Sequence, residues 1–260
     1  MSLKVPGKFR NALPLILATG LLSVASPSRA ALTLLAGWDF TNGTAIAVAP
    51  NAPTTFSAGE GTESSTAKLF LNGTDGASTW ITATSGNQVT GVTGATSAFN
   101  GTGLSSVTTS PSALSLLSST ANGQSIVFAL NMTGYTDLAI NYASQRSSTG
   151  FTSQVWSYST DDITFTTFDT VTSSTILTTG YTAIQAAGDL TAVNNKSSVF
   201  IKVTFAGASG TSGSNRLDNI TFAGVAASAV PEPSTYGAIV GSIVLAGLVL
   251  RRRFSATTAV

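Results

Sequence analysis

Twelve Lys and Arg against eleven Asp and Glu give this 260-residue chain a formal net charge of +1, and it contains neither cysteine nor histidine. Disulfides, thiolate nucleophiles, Cys/His zinc sites and imidazole bases are thereby excluded. Charged residues make up 9% of the chain, against about a quarter in ordinary soluble proteins, so hydroxyls and amides must do much of the work of solvating it.

The small net charge hides a segregation. Lys4, Lys8, Arg10 and Arg29 lie in the first thirty residues and Arg251, Arg252 and Arg253 close to the end. From Leu32 to Ala229 there are five basic side chains, Lys68, Arg146, Lys196, Lys202 and Arg216, against ten acidic ones. An acidic body with no Lys/Arg cluster lacks the footprint that phosphate neutralisation requires, which argues against nucleic acid as a partner.

At the N-terminus a basic segment precedes an apolar stretch from Ala12 to Ala25 and the small-residue pattern Ser28-Arg29-Ala30. Those three parts in that order are a secretory signal peptide over residues 1–30, cleaved by signal peptidase between Ala30 and Ala31. The alternative, an uncleaved anchor, is weakened by Pro14 and Gly20, which interrupt an already short apolar stretch.

The body, 31–225, is punctuated by Gly, Asn-Gly and Ser clusters with short alternating segments between them. In "SIVFALNM" Ile126, Phe128 and Leu130 share a face, as do Leu138, Ile140 and Tyr142 in "DLAINYAS". In "SSVFIKVTFAG" Val199, Ile201, Val203 and Phe205 alternate with Phe200, Lys202 and Thr204, the period-two pattern of a strand with one buried face. The expected fold is all-β, a jelly-roll-like antiparallel β-sandwich. Strands are also expected at Lys68–Leu71 and Thr79–Ala83. The Gly/Ser/Thr-rich passage that follows, up to Gly123, reads as a long insertion with weak edge strands, or with a short helix around Ser112–Leu117. The recurrent "NGT" at Asn42, Asn72 and Asn100 has no fixed period; Asn-Gly is a hairpin-turn signal, which suffices to explain it.

Two stretches of the body resemble pieces of extracellular jelly-roll domains. "VWSYSTDDITFTTFDTV" is similar to their paired strands, with Asp161 and Asp162 in the connecting turn. "GSNRLDNITFAG" resembles the closing strand of galactose-binding-like and carbohydrate-binding modules. In several such families the first and last strands together hold a structural calcium; the resemblance implies Asp39 of "AGWDF" and Asp218 of "LDN" as its ligands. The alternative is that Asp218 and Asn219 merely cap a loop, since calcium takes about six to eight oxygens and two side chains are named. No other cofactor is implied.

Catalysis would have to rest on carboxylates, yet Asp161 and Asp162 are adjacent and Glu60 and Glu63 lie in a Gly/Ser-rich loop. Both pairs read as solvated turn residues, so no enzyme is expected. A glycan-binding role would call for an exposed aromatic platform. Trp38 and Trp156 fall in strands where burial is the expectation; Trp80 is the candidate platform, with a core position as its alternative.

The chain ends in "VPEPSTYGAIVGSIVLAGLVLRRRF". Tyr236–Leu250 carries no charge and would span about 22 Å as a helix, short of a hydrocarbon core of ~30 Å unless flanking residues and snorkelling arginines extend it. Val230, Pro231, Glu232, Pro233 and Ser234, followed by this helix and Arg251, Arg252 and Arg253, resemble the PEP-CTERM sorting signal of Gram-negative bacteria. The signal would occupy 226–254, with its motif at 230–235, a transmembrane helix at 235–250 and the basic cluster at 251–253, and a tail at 255–260 would follow it. The resemblance implies processing by an exosortase near the motif. The protein would be exported, first anchored in the inner membrane and then released to the cell surface or an extracellular matrix of exopolysaccharide. Arg251–Arg253 would act as the stop-transfer element, held inside by the positive-inside rule. The main expectation is therefore a non-catalytic surface or matrix protein, and the alternative a carbohydrate-binding module.

Overall fold

A computed structural model describes residues 31–40, 55–71, 89–105 and 112–227, with four further helical residues at 243–244 and 246–247. The signal peptide, the strand expected at Thr79–Ala83, Trp80, the Val230–Ser234 motif and the arginine cluster lie outside the described residues. Among the described residues no helix is long and apolar enough to cross a membrane.

The described body is all-β, in two antiparallel sheets. The first runs β10 (Thr182–Ala186), β7 (Tyr135–Arg146), β12 (Ser214–Ala226), β5 (Ser112–Leu117) and β4 (Val89–Thr93), with β1 (Leu32–Trp38) also pairing β12. The second runs β2 (Thr55–Ser57), β3 (Lys68–Leu71), β6 (Ser125–Leu130), β11 (Val199–Ala206), β8 (Ser153–Ser159) and β9 (Thr166–Thr172). The alternation read from "DLAINYAS" and "SSVFIKVTFAG" is what β7 and β11 display, whereas in β6 Val127 is buried along with Ile126 and Phe128 because its outward side is covered too. Val199, Ile201, Val203 and Phe205 are fully buried, while Phe200, Lys202 and Thr204 between them are half-buried. Lys68–Leu71 is a strand with the expected bounds.

The core forms where the inner faces of the two sheets meet. Register places Val203 between Ile126 and Trp156, and Ile201 between Phe128 and Tyr158. Phe128 of the second sheet packs 4.9 Å from Phe222 and 5.2 Å from Trp38 of the first, centroid to centroid. Trp156 lies 5.0 Å from Tyr142. Trp38 and Trp156 are thus core residues, at 2% and 1% exposure, and neither offers a face to a ligand.

A polar thread crosses this apolar interior. The Trp156 indole donates to the Tyr142 hydroxyl (3.2 Å), which donates to Gln154 Oε1 (2.6 Å), and the Gln154 amide donates to Ser144 Oγ (3.1 Å). Burial pushes the Tyr142 hydroxyl far above its usual range, keeping it a neutral donor. Each member has a partner, the condition under which buried polar groups are tolerated.

The short helix or weak edge strand expected at Ser112–Leu117 is neither. The segment is β5, paired with β12 on one side and β4 on the other. Ala113, Leu114, Ser115 and Leu116 are all buried in succession. A strand covered on both faces loses its alternation, which is why its pattern could be taken for a helical turn.

β1 and β12, the first and last strands of the body, run antiparallel from Leu32↔Val225 to Trp38↔Ile220. The chain therefore enters and leaves the sandwich at one pole, where Ala227 N–H also donates to Gly134 O (2.7 Å).

Candidate functional site

Among the described residues, two places in the sandwich have the chemistry of a site: a fork in the first sheet, and the outward face of the second.

At the fork, β12 exchanges partners. Ser214–Leu217 pairs with β5, and from Ile220 onward the same strand pairs with β1. Between them Asp218 and Asn219 form an irregularity in the register with β7, and Asn219 adopts φ +48, a left-handed conformation that Asn tolerates better than most residues. Asp39 directly follows Trp38, the last residue of β1, which pairs with Ile220, so both residues expected as calcium ligands lie at this fork, where the Asp39 charge acts on Asp218.

Asp218 is fully buried. Its Oδ2 accepts from Ala95 N–H (2.7 Å) and its Oδ1 from Asn219 N–H (2.8 Å). Burial nevertheless pushes its carboxyl up to about 8; the two backbone donors oppose the rise and the nearby Asp39 charge adds to it. Asn219 Nδ2 donates to Thr96 O (3.0 Å), while Asn219 Oδ1 is buried with no hydrogen-bond partner among the described residues. A carboxyl that burial pushes upward, a second acidic side chain near enough for its charge to act on it and a buried amide oxygen without a partner among the described residues are all oxygen donors. Such donors suit a hard cation such as calcium and not a soft one. No group of three or more Asp or Glu gathers among the described residues, so a cation here would draw its remaining oxygens from backbone and water.

The segment 94–105 lies over this fork. A Cβ on Gly94 would sit 2.3 Å from Asp218 Oδ2, and one on Gly101 2.1 Å from Thr221 Oγ1. Only glycine lets the backbone approach β12 so closely, and that approach delivers the Ala95 amide to Asp218. Tyr181, which donates to Thr93 O (2.9 Å), and Phe99 pack together at 6.3 Å, and Ser105 N–H donates to Glu60 Oε2 (2.8 Å). The outward side of β12 at its centre is thus taken by the protein's own chain.

The outward face of the second sheet is built differently. Strand register aligns Thr55, Phe70, Val127, Lys202 and Ser157 in one row across five strands. The neighbouring row is Ser57, Lys68, Ala129, Phe200 and Ser159. Directly opposed side chains in such rows stand about 4.5–5.5 Å apart at Cβ. The floor is apolar, with Val127 buried; Phe70, Phe200, Lys68 and Lys202 are half-buried around it. Lys202 Nζ lies 3.7 Å from the centroid of the Phe165 ring, a cation–π contact. Partial burial lowers the Lys202 ammonium from its usual range, while Asp162 opposes that shift. Lys68 Nζ donates to Ser57 Oγ (2.7 Å), and Ser125 and Thr204 share a hydroxyl bond (2.8 Å).

The turn joining β8 to β9 borders this face and contains Asp161 and Asp162, as expected. Asp161 Oδ1 accepts from Thr164 N–H (2.8 Å), Ile163 N–H (2.9 Å) and Ser159 Oγ (2.7 Å), and these bonds pull its carboxyl down to about 2. Its role is to hold the turn. Glu63 likewise accepts from Thr66 Oγ1 within its own loop (3.0 Å).

A groove of about 750 Å³ lies at the pole where the chain enters and leaves, lined in part by Leu32, Asp137, Leu138, Gln185 and Asp189. Among the described residues no aromatic side chain lines it, so they offer no stacking surface for a sugar ring there.

Phe70, Phe200 and Lys202 were not singled out from the sequence as binding residues. Their signal was present in the alternation of "VFIKVTFA", whose outward positions carry an aromatic ring and an ammonium where an ordinary solvated strand carries small polar groups.

No family model and no curated protein matches the chain. Among solved structures it is similar to a xylan-binding domain of carbohydrate-binding module family 22, at 13% identity over 76% of this chain and 98% of that one, with a TM-score of 0.35. The tandem family 22 modules of Paenibacillus barcinonensis Xyn10C match at 15% identity, over 80% of this chain and 49% of that one, with a TM-score of 0.33. A family 61 carbohydrate-binding module solved with β-1,4-galactotriose matches at 10% identity, over 52% and 81%, with a TM-score of 0.32. At TM-scores below 0.5 these likenesses carry no ligand with them.

Proposed function

We propose that this protein is an exported, non-catalytic surface or matrix component whose jelly-roll-like sandwich binds a polysaccharide on the outward face of the second sheet. The observation that carries this reading is the pair of rows in which Phe70 and Phe200 flank Val127 and Ala129, with Lys68, Lys202 and serine hydroxyls beside them. Aromatic rings supply apolar contact area for sugar faces, and the ammonium and hydroxyl groups supply the hydrogen bonds that orient a polyol. The carboxylates near this face hold loops instead of facing one another across a cleft, which favours binding over hydrolysis. At the fork, Asp39, Asp218 and Asn219 would hold a structural calcium, neutralising a charge that burial otherwise disfavours and tying the first strand to the last.

A pull-down of the chain on a panel of insoluble neutral and acidic polysaccharides tests the binding. Phe200→Ala and Phe70→Ala are expected each to weaken retention roughly tenfold, at about 1–1.5 kcal/mol per lost ring contact, with the fold kept. Retention by no polysaccharide, or retention unchanged in both variants, overturns the reading.

Export and sorting make up the other half of the proposal, and their support is the order of parts in the sequence: the basic and apolar N-terminal segment, then Val230–Ser234, the apolar run and Arg251–Arg253. The shared pole of entry and exit suits such an arrangement, because the described strands begin at Leu32 and end at Ala226 side by side. With one epitope tag in the body and another after Val260, fractionation of cells that have an exosortase should find the body tag at the surface or in the medium without the terminal tag. Two tags that remain together in the membrane would make the tail a permanent anchor.

A further inference from the structure

The body carries three lysines, and two of them, Lys68 and Lys202, stand in adjacent outward rows of the second sheet. No Asp or Glu occupies any position of those two rows, although acidic side chains outnumber basic ones two to one between Leu32 and Ala229. Six of the nine described acidic groups lie elsewhere. Asp39, Asp218 and Glu60 gather around β1 and the fork, and Asp137 and Asp189 line the groove at the tethered pole. Asp169 accepts from Ala187 N–H (2.9 Å) at the edge of the sandwich. Within reach of the rows are the two aspartates of the β8–β9 turn and Glu63, whose carboxylate accepts from Thr66 Oγ1 (3.0 Å) in the loop that also supplies Ser65 O to Lys68 Nζ (3.4 Å). Asp161 is engaged by its own turn, and Asp162 offsets part of the Lys202 charge while leaving Lys68, bonded to a neutral serine, uncompensated by it.

We infer that the polysaccharide taken by this face is an anionic one, bearing carboxylates, with Lys68 and Lys202 as the residues that select it. This rests on the glycan-binding reading and narrows its substrate class. The acidic excess of the body repels an acidic polymer overall, and the two ammoniums of this face attract it locally, as Arg146 and Arg216 on the first sheet do without outward aromatic rows beside them. Charge therefore guides its position before any ring contact forms. Lys202 is already partly stripped of water by the Phe165 ring, so meeting a carboxylate there sacrifices less hydration than it would for a fully solvated lysine. Phe70 and Phe200 then hold the sugar rings between the charges.

The test uses the full-length chain in detergent and compares polygalacturonate with the same polymer after methyl esterification, which keeps the backbone and removes the charge. The wild type should be retained by the acid form, released as salt is raised to about 0.3 M, and retained at least tenfold less by the ester. Lys68→Gln and Lys202→Gln should each lower retention by the acid form roughly tenfold, while Lys68→Arg and Lys202→Arg keep most of it; matching melting curves separate lost binding from lost folding. Equal retention of acid and ester, or indifference to salt, overturns the inference whatever the variants do. A chain that holds neutral polymers but not polygalacturonate overturns it too and leaves the glycan reading standing. A chain that holds no polysaccharide overturns both.

Discussion

In chelator, the melting temperature of residues 31–229 should fall as the pH is raised from about 5 to about 7, by roughly 5–10 °C, and saturating calcium should remove most of that fall. The cause is Asp218, whose carboxyl is pushed up to about 8 in the folded protein and returns to about 3.9 on unfolding. Between those values the folded state holds a proton that the unfolded state does not. Stability is therefore full below the unfolded value and is lost as pH climbs towards the folded one, at ~1.4 kcal/mol per pH unit. Two units amount to about 2.7 kcal/mol, and a domain of this size shifts by ~2–4 °C for each kcal/mol. A cation bound to the ionised form reverses the preference, because it binds the native state alone. Asp218→Asn should abolish both the slope and the response to calcium. A melting curve that responds to pH but not to calcium would make Asp218 a buried neutral carboxyl that caps the fork; one that responds to neither would remove it as a titrating group.

The second large effect is expected from Trp156→Ala. Trp156 is 1% exposed, stacks with Phe128 at 6.4 Å, packs at a tilt against Tyr142 at 5.0 Å, and donates to the Tyr142 hydroxyl. Truncation opens a cavity between the sheets and removes one donor from the buried polar thread. The expected loss is about 3–5 kcal/mol, a large share of the stability of a typical domain. Trp156→Phe keeps the ring contact but not the N–H donor, and should cost about 1–2 kcal/mol. Chemical denaturation of the two variants measures both, and equal losses would mean that the indole hydrogen bond, not the filled volume, is what matters.

Local chemistry was enough to read several features of this protein from its residues. Alternation in "DLAINYAS" and "SSVFIKVTFAG" specifies strands with one buried face, because a period of two places every second side chain on the same side wherever the strand is packed. The burial of Trp38 and Trp156 follows from the same periodicity, and the absence of His and Cys excludes whole classes of chemistry without reference to any fold. β5 was not legible, since a strand covered on both faces has no alternation to read, and what covers it comes from segments distant in the chain. The fork was half legible: Asp39 and Asp218 were paired through a resemblance, but the orphaned oxygen of Asn219 and the glycine-dependent approach of residues 94–96 arise only when β1, β5 and β12 meet. The outward rows of the second sheet depend on tertiary structure most of all. Phe70, Phe200, Lys68 and Lys202 are separated by up to 134 positions, and the side of a strand on which a residue sits is local, whereas which strands lie side by side is decided by pairing and by the burial of a common inner face.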